Sequence, residues 1–118
     1  MLVEYSPEFC QLLKRRFPKA TIIQGDAYDL NDTLDGILKE PAAATVSSLP
    51  LFTKPMDKRL ELLAAAQNLM HPNAPFIQFT YAVVPPIPAR SRDYTARGSN
   101  RIWLNLPPAR VWVYRRPA

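Results

Sequence analysis

Three polar stations, each at the end of an apolar run, hold the residues that could do chemistry. Glu4 closes Leu2-Val3-Glu4-Tyr5, Gly25-Asp26 follows Thr21-Ile22-Ile23-Gln24, and Ser47-Ser48-Leu49-Pro50 follows Ala43 to Val46. Each station lies about one strand–helix unit after the last. Carboxylates and hydroxyls in that arrangement suit a nucleoside held along the carboxyl edge of an open parallel sheet. Taken singly, a Glu at a strand end is a solvated cap, Gly-Asp is a turn and Ser-Ser-Leu-Pro starts a loop. Their order and separation carry the inference.

The elements that must position these stations read as follows. Ser6-Pro7-Glu8 starts a helix: Ser caps, Pro fits the first helical position, and Glu complements the positive helix end. Phe9, Leu12, Leu13 and Phe17 recur at helical spacing, Lys14, Arg15 and Arg16 suit the negative end, and Pro18 stops the helix. Thr21 to Gln24 predicts a buried strand. A short helix is expected over Asn31 to Leu38, with Leu34, Ile37 and Leu38 inward. Ala43 to Leu49 is the next strand. A longer helix runs from about Pro55 to Met70, with Met56, Leu60, Leu63 and Met70 along one face.

Pro75 to Tyr81 alternates as a strand, with Phe76, Gln78 and Thr80 on one side and Ile77, Phe79 and Tyr81 on the other. Val83 to Gly98 holds Pro85, Pro86 and Pro88, then Arg90, Arg92 and Arg97. It cannot be a regular helix, and a long mobile loop over residues 83–100 is expected. Arg101 to Leu104 and Arg110 to Tyr114 predict an antiparallel ribbon at the sheet edge, packed by Trp103, Trp112 and Tyr114. Strands alternating with helices and then a terminal hairpin imply an α/β fold with a mostly parallel sheet.

The 118 residues make one domain at most. No apolar run reaches the roughly 18 residues of a membrane span, and no signal peptide opens the chain. Cys10 is alone, so no internal disulfide forms; a cytoplasmic setting fits, with Cys10 a small buried residue. Without a Cys/His cluster, no structural metal site is expected. The formal charge of +5 is uneven. Residues 1–71 carry 8 Lys/Arg and 9 Asp/Glu, whereas residues 72–118 carry 7 Arg and only Asp93. That bias fits either an anionic partner, such as a membrane surface, nucleic acid or phosphate, or a solvated basic face.

Five segments carry a family resemblance: Val3-Glu4-Tyr5-Ser6-Pro7-Glu8-Phe9, Ile23-Gln24-Gly25-Asp26-Ala27, Ser47-Ser48-Leu49-Pro50-Leu51, Phe76-Ile77-Gln78-Phe79-Thr80-Tyr81 and Arg101-Ile102-Trp103-Leu104-Asn105-Leu106-Pro107-Pro108-Ala109. The chain resembles the Rossmann-like methyltransferases that use S-adenosylmethionine. More closely, it resembles the bacterial phospholipid N-methyltransferases, which methylate phosphatidylethanolamine. The resemblance implies a partial Rossmann-like sheet with helices on both faces. It implies that Glu4 accepts from the cofactor's ribose hydroxyls, and that Tyr5 lies against the adenine. Asp26 would accept from the adenine amino group, Ala27 would leave room beside the ring, and Ser48, Leu49 and Pro50 would line the reaction centre. Tyr81 either orients the amine or a head-group oxygen, or caps the core. Arg90, Arg92 and Arg97 either meet lipid phosphate or belong to a solvated loop.

Ser48-Leu49-Pro50-Leu51 also separates two chemistries. Similar enzymes acting on adenine bases carry Asn or Asp, then Pro, then an aromatic residue that stacks on the flipped base. Here Ser48 keeps an acceptor, but Leu51 replaces the aromatic. A lipid amine has no π-face and needs no platform, so the lipid reading is preferred to an rRNA adenine methyltransferase. The resemblance further implies a preceding strand and a Gly-x-Gly-type loop, and Gly25, Gly36 and Gly98 form no such loop. A single copy is therefore expected to bind S-adenosylmethionine weakly or not at all. Three explanations of the gap between the strands ending at Glu4 and Ser48 stay open: a truncated form of the domain, direct pairing of the two strands, or self-association. A non-catalytic remnant of the fold is the alternative to an enzyme. Its expected place is the cytoplasm, peripheral to the inner membrane.

Overall fold

The computed structural model describes residues 1–101 and 108–117. Most of the expected strand Arg101 to Leu104, including Trp103, lies outside the described residues. Two compact units divide the chain, Met1–Lys39 and Glu40–Ala118.

In the first unit, β1 (Leu2–Glu4) and β2 (Ile22–Gln24) pair in parallel, with Glu4 opposite Gln24. Helix α1 (Pro7–Arg16) connects them. Ser6 caps it, its Oγ accepting from the Phe9 N–H at 3.4 Å, and Pro7 takes the first helical position. Cys10 is its buried residue. The apolar residues at helical spacing are not covered throughout: Phe9, Leu12 and Phe17 are 59%, 48% and 46% exposed. The reason is area: three-residue strands reach only about 10 Å, too short to cover the helix face. After β2 comes a 3-10 turn over Ala27–Asp29, and then α2 (Leu30–Thr33). The helix expected to run to Leu38 ends early. Asn31 and Asp32 are weak helix formers, and Gly36 follows at φ 71°. Leu34 does turn inward, whereas Ile37 is exposed.

In the second unit, β3 (Thr45–Ser47), β4 (Phe76–Thr80), β5 (Thr95–Gly98) and β6 (Arg110–Arg115) form a sheet in the order β3-β4-β6-β5. β3 and β4 are parallel, and β6 is antiparallel to both β4 and β5. α3 (Met56–Asn68) links β3 to β4. The alternation expected along β4 is present: Phe76, Gln78 and Thr80 are buried, while Ile77 and Phe79 are half-buried.

Two expectations change here. Thr95–Gly98, read as loop, is a strand, because β6 offers it a free antiparallel edge. Gly98 faces Trp112, whose ring sits where a Cβ would fall, about 3.0–3.1 Å away. Tyr114, read as an edge residue, is fully buried, because β6 lies inside the sheet rather than at its margin. Its ring meets Phe76 and Tyr94 edge-on, with centroids 6.4 and 5.7 Å apart. Its hydroxyl donates to the Ile87 carbonyl at 2.7 Å and accepts from the Ile87 N–H at 3.2 Å. Ile87 and Tyr94 are buried, which fixes the proline-rich segment at two points.

Among the described residues no helix is long and apolar enough to cross a membrane.

Tyr114→Phe should lower stability to urea by about 1–3 kcal/mol, because it leaves both buried Ile87 backbone groups unpaired. Burial pushes the Tyr114 hydroxyl well above the ordinary 10.0, an effect partly offset by the Ile87 N–H. The folded state therefore favours the protonated phenol. That contribution is complete below pH 10.0 and is lost as the pH rises beyond it. Wild type should weaken from about pH 10 upward, and Tyr114→Phe should lack that share of the alkaline loss.

Candidate functional site

Each of the three stations stands at the carboxyl end of its strand: Glu4 ends β1, Gly25-Asp26 follows β2, and Ser47 ends β3. The first two lie in one unit and the third in the other.

In the first unit, the Gly25 N–H donates to the Glu4 carbonyl at 3.0 Å, which extends the β1–β2 ladder by one step. Glu4 Oε1 accepts from the Ser6 N–H at 3.1 Å. This bond holds the half-buried carboxylate against the start of α1, and Oε2 has no partner among the described residues. A carboxylate fixed by one oxygen and open at the other can accept a hydroxyl. Asp26 Oδ1 accepts from the Tyr28 N–H at 2.9 Å, and the Asp26 carbonyl accepts from Thr33 Oγ1 at 3.0 Å. Gly25 is required by close approach: a Cβ there would collide with Thr33 Cγ2. The Asp26 side chain is exposed, and Ala27 beside it is half-buried. Tyr5 is 76% exposed, so its ring has an open face. These residues fit the adenosine side of S-adenosylmethionine: acceptors for a hydroxyl and an amino group, with an unburied aromatic ring.

In the second unit, Ser47-Ser48-Leu49-Pro50 forms a tight turn. Pro50, at φ −77° and ψ 73°, closes an inverse γ-turn in which the Leu51 N–H donates to the Leu49 carbonyl at 2.9 Å. The Leu49 N–H donates to Ser47 Oγ at 3.3 Å. Gln78, opposite Ser47 in the sheet, donates from Nε2 to the Leu49 carbonyl at 2.9 Å and to the Phe79 carbonyl at 3.1 Å. Both lone pairs of the Leu49 carbonyl are thus engaged, and the exposed Ser48 hydroxyl has no partner among the described residues. Leu51 is 1% exposed and belongs to the core.

Sequence reasoning put Gln78 on one face of β4 with Phe76 and Thr80 but missed its role. The available signal was a polar side chain between Phe76 and Thr80 on a buried strand face, which needs a partner. Phe52 was missed too. It is 44% exposed, with the Arg59 guanidinium 4.8 Å from its ring centroid.

Tyr81 follows β4 and is 53% exposed, with its ring edge-on to Phe79 at 4.9 Å. The three loop arginines do not converge. Arg90 lines a cleft with Arg116, Arg97 lies on β5 beside Arg115, and Arg92 is exposed elsewhere in the segment.

No protein-family model matches the chain. An ornithine lipid N-methyltransferase from Singulisphaera acidiphila is 29% identical over 123 residues, covering 98% of this chain and 62% of that protein. The chain thus spans about three-fifths of that relative's length. Two solved structures superpose on 98% of the chain. One is an rRNA methylase from Streptococcus thermophilus (TM-score 0.67, 11% identity, 72% of that chain). The other is a putative rRNA-methylase from Clostridium thermocellum (TM-score 0.65, 11% identity, 71% of that chain). These likenesses show a shared fold: a Rossmann-like α/β arrangement with parallel strands followed by an antiparallel hairpin.

Gly25→Ala should destabilise the first unit by about 1–3 kcal/mol, because the new methyl overpacks against Thr33. Adding Thr33→Ala, which removes the colliding atoms, should recover most of that loss in a double-mutant cycle read by thermal unfolding.

Proposed function

We propose that the chain belongs to an S-adenosylmethionine-dependent amine N-methyltransferase of the lipid class, in the lineage that methylates phosphatidylethanolamine. The observation that carries this reading is the Ser48-Leu49-Pro50 turn, with a free Ser48 hydroxyl and with Leu51 sunk into the core. The position that would hold a base-stacking aromatic ring is therefore occupied by a buried aliphatic side chain. The likeness to an ornithine lipid N-methyltransferase supports the same class, since both head groups present a primary amine.

S-adenosylmethionine supplies an electrophilic methyl group on a sulfonium. This chain's own residues bind and orient. Glu4 Oε2 would accept a ribose hydroxyl, and Asp26 would accept from the adenine amino group. The Ser48 hydroxyl accepts an N–H of the neutral amine and directs its lone pair, which supplies positioning rather than acid–base chemistry. Gln78 keeps the turn in one shape by occupying the Leu49 carbonyl. Tyr81, exposed beyond β4, orients the head group.

A second reading is favoured by one observation. Phe52, one residue past Leu51, is exposed enough for a base to stack on it. Together with the rRNA-methylase neighbours, it keeps an adenine substrate as the alternative.

Isothermal titration with S-adenosylmethionine separates an enzyme from a non-catalytic remnant, and absence of heat at high micromolar ligand would sink the enzymatic reading. With binding present, Glu4→Gln should weaken it about tenfold or more, the worth of a charged hydrogen bond. Labelled methyl should pass to phosphatidylethanolamine in mixed micelles, and Ser48→Ala should slow it about tenfold. Methylation of an adenine-containing RNA, abolished by Phe52→Ala and without lipid methylation, would reverse the substrate class.

A further inference from the structure

A cleft of about 670 Å³ opens in the second unit between α3 and the proline- and arginine-rich segment. Leu60, Leu63 and Pro88 give it an apolar floor, and Arg90, Arg116 and Gln67 bring polar groups to it. It lies away from the methyl-transfer turn. Arg115, next to Arg116, donates from its guanidinium to the Asn73 carbonyl at 2.8 Å, just before the amino end of β4. Ser47–Pro50 stands at the opposite, carboxyl end of β3, the parallel neighbour of β4.

Three observations point to an anionic ligand. Gln67 is only 8% exposed, and its Nε2 is buried with no hydrogen-bond partner among the described residues. A buried donor left unpaired costs about 1–3 kcal/mol, and a ligand oxygen would remove that cost. Arg90 has neither a hydrogen bond nor an ion pair among the described residues. Arg116 spends one guanidinium nitrogen on Asn68 Oδ1 at 2.7 Å, a neutral partner that leaves its charge unpaired.

The opposing charge is Asp93, so the cleft carries two guanidinium groups against one carboxylate. Its wall is braced before any ligand arrives. The Tyr94 hydroxyl donates to the Pro88 carbonyl at 2.7 Å, Tyr114 holds Ile87, and Arg59 donates to the Pro86 carbonyl at 3.1 Å. A preformed cleft of this volume, with an apolar floor and a few convergent donors, has the form of a small-ligand site.

We infer that this cleft binds the phosphate end of an anionic phospholipid, with the glycerol and first acyl carbons on the Leu60–Leu63 floor. The phosphate accepts from Arg90, Arg116 and Gln67 Nε2. The site holds the chain at an anionic membrane surface and is separate from the acceptor turn. It stands whether or not the chain transfers a methyl group.

The test is co-sedimentation of the full chain with phosphatidylcholine vesicles, with and without phosphatidylglycerol. Phosphatidylglycerol should be required. Arg90→Ala and Arg116→Ala should each weaken binding about fivefold, the effect of one arginine near an anionic surface. Asp93→Asn should strengthen it by about two- to fivefold. Arg15→Ala, an exposed arginine on α1, should change it less than about twofold. An equal loss for Arg15→Ala would mean diffuse attraction to net charge and would overturn the site.

Soluble dihexanoylphosphatidylglycerol, kept below its micelle concentration, should displace the chain from vesicles where inorganic phosphate at the same concentration does not. Leu60→Ser should abolish that advantage. Equal displacement by inorganic phosphate would overturn the lipid assignment in favour of a simple anion site. Retention on RNA without vesicle binding would overturn it in favour of nucleic acid. None of these readouts involves S-adenosylmethionine, so failure here and failure of the methyl-transfer reading are separate results.

Discussion

The second unit is organised by one reciprocal contact, between the Tyr114 phenol and the backbone of Ile87. A proline-rich segment has few N–H groups to offer and cannot join a helix or a central strand. Something else must satisfy the backbone it buries. Tyr114 answers both polar groups of Ile87 with one oxygen, at full burial, while its ring fills the space between Phe76 and Tyr94. Once Ile87 is fixed, the chain is carried over to Tyr94 and then into β5. The braced wall beside α3 and the mixed edge of the sheet both follow from that anchor.

Much of the architecture was legible because it rests on local signals. Ser6-Pro7-Glu8 starts a helix where its capping chemistry says it should, and period-two alternation along Phe76 to Thr80 separates a buried face from a half-buried one. The misreadings have a common physical source. Whether Phe9 and Leu12 are buried depends on how much sheet lies beneath α1, and no property of the helix sequence reports that. Tyr114 looked peripheral because the last strand in sequence is easily taken for the last strand in space. β6 instead inserts between β4 and β5. Thr95–Gly98 is too short and too polar to announce a strand, and it becomes one only because β6 supplies the partner edge.

The candidate site divides in the same way. What was readable of Glu4, Asp26 and Ser48 is their place at the carboxyl ends of three strands. The structure gives each a defined hydrogen-bond state: one carboxylate oxygen used and one open at Glu4, one used at Asp26, and a free hydroxyl at Ser48. Gln78 was not readable as a site residue, since its bond spans residues 29 apart in sequence. Arg90 and Arg116 come together only through the path of the intervening chain, and spacing alone grouped Arg90 with Arg92 and Arg97 instead.

One dihedral of the Ser48–Leu51 turn is set before the protein folds. Proline at its corner already restricts φ in the unfolded chain, so little backbone entropy remains to be lost there. With Gln78 holding the carbonyl from below and Leu51 packed in the core, the turn is a fixed ledge. A ledge cannot follow its ligand. Any discrimination it exerts among ligands is steric and geometric, written into the resting shape, and any movement that closes over a ligand has to be made by other parts of the protein.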